Sequence, residues 1–112
     1  MLVEKRTYTL YPGKAAEYMK NYRELGLEIQ LRILGNLVGW YTTEIGSNIN
    51  QIVHMWAYQD LNDRAKRRAE LAKNPDWTQK YLPSIRPLVM SQESCILVPA
   101  PWSPWADGPP GK

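Results

Sequence analysis

The stretch LVGWYTTEIGSNINQIVHMWAY, residues 37–58, decides the fold. Two apolar runs, 37–45 and 51–58, flank the segment GSNIN at 46–50. Gly, Ser and Asn favour tight turns, so the two runs pair as a β-hairpin. In the second run Ile52, His54, Trp56 and Tyr58 point one way, and Val53 and Met55 the other. In the first, simple alternation puts Val38 and Trp40 on one side and Leu37 and Tyr41 on the other. A strand with one wet face alternates apolar and polar residues. These are apolar on both sides, so both faces of the sheet need cover.

Outward from the hairpin, residues 2–10 (LVEKRTYTL) form another strand, with Leu2, Glu4, Arg6, Tyr8 and Leu10 on one face. Pro12-Gly13 ends it. The three- and four-residue spacing of Ala15, Tyr18, Tyr22, Leu25 and Ile29 predicts a helix over 14–33. Gly26 interrupts this helix at a cost of about 1 kcal/mol relative to Ala, and marks a kink or a close contact. Asp60 caps a second helix, supported by Asp63, with Leu61, Ala65, Ala69 and Ala72 as its buried line. Asn74 caps a short third helix that runs through Leu82. Residues 88–97 (LVMSQESCIL) form the last strand.

The order βαββαβ gives an α+β, ferredoxin-like domain, with an antiparallel sheet and both crossovers on one face. The other face is best covered by a second copy packed sheet to sheet, which predicts a homodimer. The domain spans 1–98. Residues 99–112 form a tail rich in Pro and Trp that is expected to lie on a surface, a partner subunit's included, with 106–112 mobile.

A chain of 112 residues makes one domain. Its net charge of +3 is weak support for a nucleic-acid partner, and none is expected. The basic run Arg64, Lys66, Arg67 and Arg68 fans around a helix turn and reads as a solvated face. One cysteine permits no intramolecular disulfide, and Cys95 reads as a small buried residue. No apolar run approaches the ~20 residues of a membrane helix, and no targeting pattern opens the chain. The expectation is a cytoplasmic protein with no membrane partner. Five Trp and seven Tyr, with no Phe, suit half-wet pockets and interfaces.

Four ionisable groups sit on the inner strands. His54, the only histidine, reads either as an acid/base group or haem ligand, or as a neutral histidine hydrogen-bonded in the core. Glu4 and Arg6 share a face. In the expected strand order they come near His54 or Glu93, giving an anion-binding Arg6 beside a proton acceptor, or an ion-pair network. Tyr18, Tyr22, Tyr41 and Trp56 are the candidate walls of an aromatic pocket over the sheet. No spaced metal-ligand motif, phosphate loop or dinucleotide fingerprint is present, so no cofactor is predicted beyond the haem alternative at His54.

The segments VEKRTYTLYPGKAAEY, LGNLVGWYTTEIG, NQIVHMWAYQDLNDRAKRRAEL, PDW, SQESCIL and PAPWSP resemble the NIPSNAP family over about residues 3–105. The resemblance implies a dimeric α/β-barrel fold and looks like that of a small bacterial single-domain member. It carries no settled activity and no catalytic motif. The wider superfamily includes haem-degrading enzymes, cofactor-free monooxygenases, isomerases and dehydratases. Two functions follow as expectations. One is monooxygenase- or isomerase-like acid/base chemistry on a small aromatic or carbonyl-bearing molecule. The other is a non-catalytic ligand-binding or interaction module.

Overall fold

Alternation and turn chemistry produce the four predicted strands in the computed structural model, which describes residues 1–111. Lys112, the last residue of the tail assigned from sequence, lies outside the described residues. The strands are β1 (Leu2–Leu10), β2 (Asn36–Thr42), β3 (Gln51–Tyr58) and β4 (Val89–Leu97). They pair antiparallel in the order β2-β3-β1-β4. This is the ferredoxin-like sheet, with β1 and β3 central. Arg6 stands opposite His54 on one side and Ser94 on the other.

The first helix covers residues 15–34. Two α-helical segments, Ala15–Asn21 and Leu27–Leu34, are joined by a π-helical turn, Tyr22–Gly26. The second helix is Leu61–Lys73. Its start follows the predicted chemistry: the Asp63 N–H donates to Asp60 Oδ1 at 2.8 Å, and the Gln59 N–H to Asp63 Oδ2 at 3.0 Å. The third helix begins where Asn74 Oδ1 accepts the Trp77 N–H at 3.0 Å. It runs as a π turn Trp77–Tyr81, an α segment Leu82–Ile85 and a 3-10 turn Arg86–Leu88.

The helices cover the sheet face that carries Glu4, Tyr8, Leu10, Ile52, His54 and Trp56, all buried. Tyr18, Tyr22, Leu34, Leu71 and Tyr81 complete this core from the helix side. The opposite face carries Lys5, Thr7, Val53, Met55, Glu93 and Cys95.

Three expectations about packing need correction. The second helix does not bury an alanine line. Leu61, Ala65, Ala69 and Ala72 are exposed, and only Leu71 is fully inside. Its inward stripe is Arg64, Arg67, Arg68 and Leu71, so of the basic run Lys66 is solvated as expected while the three arginines turn inward. Arg67 bonds the Ile33 and Leu34 carbonyls at 3.2 and 3.3 Å, satisfying the end of the first helix. Cys95 is also exposed, because it stands on the uncovered face of an edge strand.

Residues 98–111 follow β4 as successive turns, tied by Ser103 N–H to the Ala100 carbonyl and Ala106 N–H to the Ser103 carbonyl. Trp102 is 87% exposed. No helix among the described residues is long and apolar enough to cross a membrane.

Candidate functional site

Glu4 is the charged centre of the covered sheet face. Its side chain has no exposed surface. Arg64 grips it with two hydrogen bonds of 2.9 Å, from Nε to Oε1 and from Nη2 to Oε2. Arg6 Nη1 adds a third at 3.0 Å, and the Ser94 hydroxyl donates to Oε2. Burial alone pushes the carboxyl pKa up. The bonds from Arg64 and Ser94 and the nearby arginine charges outweigh it and hold the group at about 2. Glu4 is therefore an ionised anchor with its acceptor sites occupied. Arg6 is oriented by Glu4 and by the Tyr8 hydroxyl, which accepts from Nε at 3.1 Å.

His54 is enclosed by aromatic rings. Trp40 stacks on it at 5.0 Å between centroids, and Tyr8 meets it edge to face at 5.1 Å. Trp56 Nε1–H donates to His54 Nδ1 at 2.7 Å. Nδ1 must then be unprotonated, so the ring proton sits on Nε2. Nε2 is buried with no hydrogen-bond partner among the described residues. Burial, then the Arg6 charge, pushes the pKa down to about 3. The imidazole is neutral at physiological pH, the hydrogen-bonded alternative that the sequence left open.

The structure brings Glu4, Arg6 and His54 together but not Glu93. Glu93 pairs with Thr7 on the uncovered sheet face, because it lies one residue out of phase with Gln92 and Ser94. Tyr41 is likewise not a wall of the covered pocket. A bulge between Leu37 and Gly39 shifts β2 by one residue, so Leu37 and Trp40 face the helices. Tyr41 turns to the other face, lies over Gly39 and is half exposed. Trp56 and Tyr18 are core residues; the Tyr18 and Tyr81 hydroxyls bond each other at 2.6 Å. Burial raises both phenol pKa values.

Tyr22 is the sequence-predicted wall that does line a cleft. Its hydroxyl donates to the buried Gln30 Oε1 at 2.5 Å, and its ring packs on Trp40 at 4.8 Å. With Met19, Leu27 and Leu37 these two rings line a largely apolar cleft of about 530 Å³ between the first helix and β2. Lys20, Arg23 and Glu24 lie at its exposed margin. A second cleft, of about 470 Å³, lies between β1 and β4 and the second and third helices. Arg6, Arg68 and Arg86 line it together with Trp77. Sequence reasoning missed Trp40 because a bulge breaks strand parity. It missed Arg64 and Arg68 although their spacing to Leu71 is that of one helix face.

The haem alternative does not fit these residues. An axial ligand must present a ring nitrogen to an open cavity. His54 lines neither cleft, its Nδ1 is occupied, and Trp40 covers one ring face.

Fold and site together define an α+β ferredoxin-like domain built around a buried carboxylate–arginine cluster, with two clefts beside a core of aromatic rings. The NIPSNAP family model matches residues 3–104, and the chain belongs to the NIPSNAP family. It is 33% identical over 100 residues to human "Protein NipSnap homolog 3A". That alignment covers 88% of this chain and 39% of the relative, so the chain spans well under half of that protein's length. Among solved structures, Atu4242 from Agrobacterium tumefaciens superposes with a TM-score of 0.89 at 47% identity, covering 93% of this chain and 98% of that one. An uncharacterized NIPSNAP-like domain protein from Burkholderia xenovorans gives 0.90 at 43%, covering 97% and 91%. An antibiotic biosynthesis monooxygenase superposes at 0.61 with 14% identity, over 90% of this chain and 100% of that one, a likeness of fold alone.

Proposed function

We propose that this NIPSNAP-family protein is a homodimeric binder of a small, largely apolar molecule, aromatic or carbonyl-bearing, held between the first helix and β2. The observation that carries the reading is the wall of that cleft: Met19, Tyr22, Leu27, Leu37 and Trp40 around about 530 Å³, a size that suits a small ligand. Binding is favoured over acid/base turnover by the state of the inner titratable groups. A general base needs a pKa near the working pH and an open path to its substrate. Glu4 is saturated by Arg64, Arg6 and Ser94, and His54 is neutral with Nδ1 taken.

The homodimer is supported by the uncovered sheet face, where half-buried Val53 and Met55 stand beside exposed Tyr41 and Leu97. A cytoplasmic location belongs to the same reading, since a single cysteine, which allows no intramolecular disulfide, suits a reducing compartment.

Native mass spectrometry with and without excess 2-naphthol tests both parts. The expected result is twice the chain mass plus bound naphthol. Leu27→Trp, which fills the cleft, should remove the adduct and keep the dimer. A monomer, or a dimer whose naphthol binding is absent or unchanged in Leu27→Trp, would overturn the reading.

A further inference from the structure

We propose a second, separate site: the arginine-lined cleft between β1, β4 and the last two helices takes a small amphipathic oxyanion, a carboxylate or phosphate joined to an apolar body. The charge balance comes first. Glu4 neutralises one positive charge but is shared by Arg6 and Arg64. Arg68 and Arg86 meet no carboxylate within 4 Å among the described residues. A cleft of about 470 Å³ therefore carries unbalanced positive charge from three elements.

One of the three arginines is preorganised. Arg6 Nε is held by Tyr8 and Nη1 by Glu4, while Nη2 has no hydrogen-bond acceptor among the described residues. A guanidinium fixed in this way presents its remaining donors to an oxyanion with little loss of side-chain freedom. Arg6 is largely enclosed, Arg68 half-buried and Arg86 exposed, so the positive charges run from the inside of the cleft to its solvent side.

The rest of the lining sets the other half of the ligand. Trp77 and Ile85 are buried and Leu82 half-buried, and all three line the same cleft. Inorganic phosphate would leave the part of this wall that is still open, Leu82 most of all, in contact with water. An alkyl or aryl group attached to the oxyanion would cover it, gaining about 25 cal/mol for each Å² of apolar surface removed from water.

Isothermal titration with octanoate, octyl phosphate, octan-1-ol and inorganic phosphate tests the assignment on the intact chain. One or both amphipathic anions should bind at least about tenfold more tightly than the neutral alcohol and than inorganic phosphate. Whichever anion binds better identifies the headgroup. Arg68→Ala/Arg86→Ala should weaken that binding about tenfold or more. Arg86→Ala alone, at an exposed position, should weaken it in the same direction and guards against misfolding of the double variant. Naphthol binding in the other cleft should be unchanged in both, so this proposal and the proposed function fail separately. Octan-1-ol or inorganic phosphate binding as tightly as the better anion would overturn the proposal. So would unaltered affinity in the arginine variants, or no heat from either amphipathic anion up to about 10 mM, the range of very weak binding.

Discussion

Trp56 donates its indole N–H to Nδ1 of His54, so protonating that nitrogen would set two donors against each other. The consequence is a pH dependence whose sign can be worked out. His54 has a pKa near 6.5 when free and about 3 in the folded chain. The unfolded state binds the proton more readily, so the stabilisation is complete above pH 6.5 and is lost as pH falls toward the folded value. Between pH 7 and pH 5 the loss is about 2 kcal/mol. Glu4 adds little in that window, because its unfolded value of 4.5 lies below it. Its own contribution is lost below that value, as pH falls toward about 2. Urea unfolding at pH 7, 6 and 5 should show the decline in the native protein and a nearly flat profile in His54→Gln, whose amide oxygen still accepts from Trp56. A decline of equal size in the variant would assign the effect elsewhere. That His54 lies inside on a central strand was legible from parity. Its protonation state was not, because that depends on a tryptophan two residues away and on Trp40 stacked upon it.

The elements themselves were largely legible, since periodicity and caps are local signals. The alternation of 51–58, the Asp60 cap and the Asn74 cap all appear where their chemistry places them. Departures came where one residue is inserted into a regular repeat. The bulge in β2 sends Trp40 inward and Tyr41 outward. The π turn at Tyr22–Gly26 shifts the helix phase, so that Tyr18, Tyr22, Gly26 and Gln30 are buried while Leu25 is exposed. Gly26 shows what that turn needs. A Cβ there would sit 2.8 and 2.9 Å from two ring carbons of Tyr81, whose hydroxyl is tied to Tyr18. Gly26→Ala gains about 1 kcal/mol of helix propensity. The overlap costs about 1–3 kcal/mol, and the larger part of that range exceeds the gain. Chemical denaturation should show net destabilisation of Gly26→Ala, relieved when Tyr81→Ala is made in the same chain. Equal destabilisation in both backgrounds would mean that the ring is not the obstacle.

At the scale of the molecule, strand order was readable, because the succession βαββαβ with right-handed crossovers fixes it. The polar cluster was half readable. Glu4 and Arg6 announced themselves by sharing a face, but their principal partner, Arg64, is 60 residues from Glu4 and looked like one member of a charged surface run. Ser94, a further partner, lies 90 residues from Glu4. These separations bear on how the chain folds. Loop-closure entropy delays contacts between distant residues, so the Glu4 cluster closes only after the sheet and second helix have come together. It then acts as a late latch, weighting the barrier to unfolding more than the barrier to folding. Arg64→Met should leave the refolding limb of a chevron nearly unmoved and raise the unfolding limb. A variant that instead slows refolding would place this latch in the nucleus of folding.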